Sequence, residues 1–135
     1  MIKISKHLLW IEKYLKHAKK RMPSLILPRQ VRSYKPPLRK EQWTFGTCAM
    51  KERVITLATH RIITVQGVKR KKHKRIALSQ KEILMTLAHE LAHLRFDPHN
   101  YEQESYAHII FQAFGLKMRC STCKGTGLVP VKYVN

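Results

Sequence analysis

Ser79-Gln80-Lys81-Glu82-Ile83-Leu84-Met85-Thr86-Leu87-Ala88-His89-Glu90-Leu91-Ala92-His93, with Asp97-Pro98-His99 close behind, decides how this chain is read. The stretch opens on S-x-x-E, the form of a capping box, in which serine and glutamate side chains satisfy free backbone amides at a helix start. Ile83, Leu84, Leu87, Ala88, Leu91 and Ala92 then recur at helical spacing. The pattern predicts a helix over 80–96, stopped by Asp97-Pro98 because proline pushes the preceding residue out of the α region. His89 and His93 stand four apart, so both imidazoles leave one face and can share one tetrahedral Zn²⁺. Glu90 points about 100° round the helix, where it can take a proton from water without ligating the metal. Random order of this composition gives about 0.02 H-E-x-x-H matches per chain. The match also falls inside a capped, amphipathic segment, the context its chemistry needs.

A catalytic zinc takes a third protein ligand and keeps one position open. His99, Glu102 and Glu104 are the candidates, and the residues alone leave the choice open. Four of the chain's eight acids (Glu90, Asp97, Glu102, Glu104) gather here, which fits a metal site and its supporting groups. A second site helix is expected over 100–115, with Ala107, Ile110, Phe111 and Phe114 as its buried stripe and Gly115 as its stop.

Upstream, Ile4, Leu8, Ile11, Leu15, Ala18 and Met22 predict an amphipathic helix over 4–22, ended by Pro23. Residues 24–40, with Pro28, Pro36 and Pro37, read as extended chain or loop. From 42 to 66 the residues turn β-branched and aromatic, predicting strands at 43–50, 54–59 and 62–66 paired antiparallel. The run Lys69-Arg70-Lys71-Lys72-His73-Lys74-Arg75 reads as a solvated loop or hairpin tip. The expected fold is α+β: an N-terminal helix, a small antiparallel sheet and two site helices within residues 1–117, then a tail over 118–135.

Charge bounds the partners. Twenty-seven Lys and Arg against eight Asp and Glu give a formal net charge of +19, which favours polyanions, DNA or other nucleic acid first. Lys69, Arg70, Lys71, Lys72, Lys74 and Arg75 would supply phosphate contacts without base specificity. Lys13, Lys16, Lys19, Lys20 and Arg21 offer a second basic surface. No apolar run approaches the roughly 18 residues that span a bilayer. The charged N-terminus lacks a signal-peptide cleavage site, so a cytoplasmic or nucleoid-associated protein is expected, with no membrane partner. Three cysteines, Cys48, Cys120 and Cys123, argue against a disulfide framework. Cys120 and Cys123 form a C-x-x-C pair that could give two of the four ligands of a second metal site.

The segments F-G-T-C-A-M-K-E-R-V-I-T-L-A-T-H-R-I and L-M-T-L-A-H-E-L-A-H-L-R-F-D-P-H-N resemble the SprT-like, WLM and YgjP-like group of small zinc metallopeptidases. Gly46-Thr47-Cys48 and Ile55-Thr56-Leu57 match that group's strand part, and His89, Glu90 and His93 its helix. The likeness covers roughly residues 42 to 115. It implies a minimal zincin fold, peptide-bond hydrolysis with Glu90 as the base, and His99 as third ligand by its spacing of ten from His89. The group often carries an aromatic residue four after that histidine, where this chain has Gln103. Glu102-Gln103-Glu104-Ser105-Tyr106-Ala107 is similar instead to a gluzincin helix, which would make Glu102 the ligand. SprT-like and WLM enzymes imply a protein substrate bound to DNA. Cys120-x-x-Cys123-x-Gly125-x-Gly127 resembles one zinc repeat of J-domain chaperones, or half of the zinc ribbon that follows SprT-like domains. The reading from another class is a basic nucleic-acid-binding module whose zinc site is structural or vestigial.

Overall fold

The computed structural model describes residues 2–38 and 44–115; Trp43, Cys120, Cys123 and the tail over 118–135 lie outside them. Its strands are β1 (Lys3–Ile4), β2 (Gln30–Tyr34), β3 (Gly46–Ala49), β4 (Val54–Ala58), β5 (His60–Gln66) and β6 (Lys71–Ala77). Its helices are α1 (Ile11–Arg21), α2 (Gln80–His93) and α3 (Tyr101–Ala113), with a 3-10 turn at Lys6–Leu8. The class is α+β, as expected.

α2 is the frame on which the rest is assembled. Its capping box forms as read: Ser79 Oγ accepts from Glu82 N at 3.2 Å, and the Glu82 carboxylate accepts from Ser79 N at 2.9 Å. Leu84, Leu87 and Leu91 are all buried and meet Val31, Ile55 and Leu57 of the sheet, Leu8, Ile11 and Leu15 near the N-terminus, and Ile110 of α3 in one core. Burial of each such side chain contributes about 1.5–3 kcal/mol. α2 lies across β3 and β4 and against α3. α3 starts at an Asn100 cap, whose Oδ1 accepts from Gln103 N at 2.9 Å, and is followed by Gly115 at a φ of 84°. No described helix is long and apolar enough to cross a membrane.

Three expectations are corrected. The sheet is mixed, in the order β1-β2-β4-β3: β2 runs parallel to β1 and β4, and only β3 is antiparallel to β4. β2 lies in the proline-containing stretch read as extended chain or loop, and its Val31 is fully buried in the core. The helix expected over 4–22 begins only at Ile11, because long-range pairing claims the first residues. Lys3 N bonds Arg29 O and Ser5 N bonds Val31 O, both at 2.9 Å, and Ser33 N bonds Ser5 Oγ at 3.0 Å. The apolar positions still serve the core, since Leu8, Ile11, Leu15 and Ala18 are all buried.

The third correction concerns the basic run. Lys71 to Arg75 lie in β6, paired antiparallel with β5 from His60↔Ala77 to Gln66↔Lys71. The connection is tight, with Gly67 N bonding Arg70 O at 2.9 Å. The strand expected at 62–66 therefore belongs to a separate two-stranded ribbon, and only Lys69 and Arg70 of the run sit at its turn.

Candidate metal centre

The site follows from how α2 ends. Its last residue, His93, is buried, and the chain behind it turns back so that Phe96 O and Asp97 O lie 3.1 and 3.0 Å from His93 Nδ1. A carbonyl oxygen can only accept, so Nδ1 carries the hydrogen and Nε2 keeps a free lone pair. One turn earlier on the same face stands His89. The same turn delivers His99 immediately before the Asn100 cap of α3. The three Nε2 atoms converge, with separations of 3.1 Å (His89–His93), 3.1 Å (His93–His99) and 3.3 Å (His89–His99). A tetrahedral ion with nitrogen ligands at 2.0–2.1 Å places them about 3.3 Å apart. His89, His93 and His99 can hold a metal ion. Imidazole donors suit Zn, Cu, Fe and Ni alike.

Glu102 is exposed in the first turn of α3 and stands outside this group of three. Glu104 is exposed too, yet near enough to His89 for its charge to favour the protonated ring. Burial and the neighbouring His93 and His99 outweigh it, and the His89 pKa lies below its ordinary value.

Glu90 sits beside the nitrogens without joining them. Its Oε1 lies 4.0 Å from His89 Nε2, and only 5% of the residue is exposed. Burial pushes its pKa up to about 7, against a smaller opposing effect of His99. β3 passes directly over it. A Cβ added at Gly46 would stand 2.7 Å from Thr86 Cγ2, 3.0 Å from Thr56 O and 3.3 Å from Glu90 Cγ. Cys48, two residues on in β3, is half-buried on this side, and its thiol pKa is pushed up to about 11 by burial and then by Glu90 and Asp97.

No protein-family model, curated protein or solved structure matches this chain. The reading of the site therefore rests on its own geometry. Glu90, the histidine nitrogens, Met85 and the β3 residues Gly46, Thr47 and Cys48 line an open cleft of about 700 Å³. Two residues that entered the sequence reading only through the family resemblance, without a role at the site, shape the centre. Gly46 lets strand and helix close on Glu90. Gln103 is fully buried, and its Nε2 donates to His89 O at 3.0 Å while standing 3.4 Å from His89 Nδ1. The signal for Gln103 was available: it is a polar residue at a core-facing position of an amphipathic helix. Of the basic residues, Lys69 and Arg70 lie at the ribbon turn and Lys71, Lys72, Lys74 and Arg75 on β6, none of them lining the cleft.

Proposed function

We propose that this protein is a zinc-dependent metallopeptidase of the SprT-like, WLM and YgjP-like kind, acting on proteins held at nucleic acid. The observation that carries the reading is the buried Glu90 carboxylate, 4.0 Å from Nε2 of His89 in the convergent histidine group and lining an open cleft. A site built only to hold its ion needs no such acid. Zinc bound there would supply a Lewis acid that polarises a substrate carbonyl and makes water a nucleophile near neutral pH.

The chain's own residues supply the rest. His93, locked by the Phe96 and Asp97 carbonyls, presents one nitrogen lone pair, and His89 and His99 complete the face. Glu90 Oε1 or Oε2 takes the proton from the attacking water and returns it to the leaving amine nitrogen. Its position suits it to both halves, because the carboxylate is buried beside the histidine nitrogens and lines the cleft where water and amine would sit. β3 forms the cleft wall opposite α2, so an extended peptide would lie between strand and metal.

The test separates this reading from that of a basic binding module with a structural site. Glu90→Gln should retain one zinc per chain and lose about 10²–10⁴-fold in protein cleavage. His99→Ala should lose zinc and cleavage together, whereas Glu102→Ala should keep both. Absence of protein cleavage by the zinc-loaded wild type would leave the binding-module reading standing, and full cleavage by Glu90→Gln would overturn Glu90 as the base.

A further inference from the structure

Residues 60–77 carry seven Lys and Arg and no Asp or Glu, and they fold as one two-stranded ribbon, β5–β6. Seven paired rungs make it about 23 Å long. Its register sorts the side chains. Residues opposite each other in an antiparallel pair share a face. One face therefore carries His60, Ile62, Thr64 and Gln66 with Lys71, His73, Arg75 and Ala77. The other carries Arg61, Ile63 and Val65 with Lys72, Lys74 and Ile76.

The two faces are not equivalent. On the first, Arg75 is tied to the body of the protein, Nε donating to Pro36 O at 2.7 Å, and His73 Nδ1 is spent on Thr64 Oγ1 at 3.1 Å. On the second, Arg61, Lys72 and Lys74 are all exposed. Among the described residues none of these three makes an ion pair or a side-chain hydrogen bond. Lys69 and Arg70 extend the same charge round the turn, where Val68 is fully exposed.

We infer that the Arg61–Lys72–Lys74 face of the ribbon is a docking surface for double-stranded DNA, seated in the major groove. This names the partner of the proposed peptidase but rests on the ribbon alone, not on the metal centre. Two features select the occupant. A row of cations without one acid complements a polyanion. A two-stranded ribbon also matches the major groove of B-form DNA, about 12 Å wide, whereas the A-form RNA major groove is too deep and narrow to enter. A membrane surface fits less well, because Val65 and Val68 are the only large apolar side chains that the ribbon exposes.

The test uses the full chain carrying Glu90→Gln, so that binding is read without cleavage. Its anisotropy titration against a labelled 25-base-pair duplex is followed from 50 to 200 mM KCl. Combined Arg61→Gln, Lys72→Gln and Lys74→Gln should weaken binding at least about tenfold and flatten the salt slope by about 2.7, three phosphate contacts at 0.9 each. Lys13→Gln, Lys16→Gln and Lys20→Gln on α1 should change the slope by less than about one. Lys72→Arg with Lys74→Arg, Arg61 left intact, should keep the wild-type affinity, which shows that the triple variant lost charge rather than ribbon folding. Equal losses from the ribbon and α1 triples would overturn the inference. So would equal affinity for single-stranded DNA or an RNA duplex, or binding to phosphatidylserine vesicles in preference to DNA. Zinc content and cleavage of free protein are read separately, so either proposal can fail without the other.

Discussion

At Gly46 a single hydrogen in place of a methyl group lets β3 lie against α2. Alanine there would place Cβ 2.7 Å from Thr86 Cγ2, with Thr56 O and Glu90 Cγ close behind. Gly46→Ala should cost about 1–3 kcal/mol, the usual range for overpacking, read as a lower urea midpoint. Thr86→Ser removes the methyl in nearest contact and keeps the hydroxyl, which bonds Glu82 O at 3.2 Å. The double variant should therefore recover part of the loss; strict additivity would mean that Thr86 does not set the spacing. Glu90 makes a second claim at this scale. Its pKa in the folded, metal-free chain is raised from 4.5 to about 7 by burial. The folded state then binds more protons than the unfolded one between those values, so stability falls as pH rises through that window. His89 works the other way, because burial lowers its pKa and makes the unfolded state the better proton binder as pH falls below the ordinary histidine value of 6.5. Glu90→Gln isolates the carboxyl: in chelator, the variant should gain Tm relative to wild type by a few degrees at pH 7.5 and show no such gain at pH 4.5. An equal difference at both pH values would contradict the buried-carboxylate account.

Helix caps do different work at the two ends of the α2–α3 hairpin. Ser79 fixes the start of α2, three turns away from the metal nitrogens, while Asn100 fixes the start of α3 directly beside His99. Ser79→Ala and Asn100→Ala should each cost about 1 kcal/mol of stability. Only Asn100→Ala should also weaken zinc binding, by about 10-fold or more, because fraying there frees both His99 and Gln103. A zinc titration on the two variants reads the contrast directly. The same elements show what a sequence exposes. α2 was legible because its cap and its apolar period lie within one local stretch, and His89, Glu90 and His93 ride on it; it ends at His93, three residues short of the bound at 96 that Asp97-Pro98 suggested. His99 was legible as a candidate, but choosing it over Glu102 takes the turn geometry that folds residues 94–99 back onto His93. β1 and β2 were not legible, since their pairing joins Ile4 to Val31 and Val31 to Ile55 across the chain. Nothing local marks such a partner. β6 was misread for another reason: its Lys-rich composition looks like solvated loop, and it is the register with β5, turned at Gly67, that makes it a strand.

Across the whole molecule, the three histidines that can hold a metal ion come from eleven consecutive residues, whereas the core draws on α1, β2, β4, α2 and α3. A metal bound by so local a segment braces the α2–α3 hairpin but does not nucleate the core. Such a protein differs from small metal-dependent folds that exist only when loaded. The chelator-treated chain should keep its far-ultraviolet circular dichroism and unfold cooperatively. Saturating zinc should then add stability by mass action, about 4 kcal/mol at a free concentration a thousandfold above Kd, seen as a rise in Tm that grows with zinc concentration. His99→Ala should remove that rise while leaving the chelated Tm close to wild type, because His99 is exposed and outside the core. If chelation instead unfolded the chain, the ion would be part of the fold. Glu90 would then be a buried acid beside a structural site, and its carboxylate would need another explanation than catalysis.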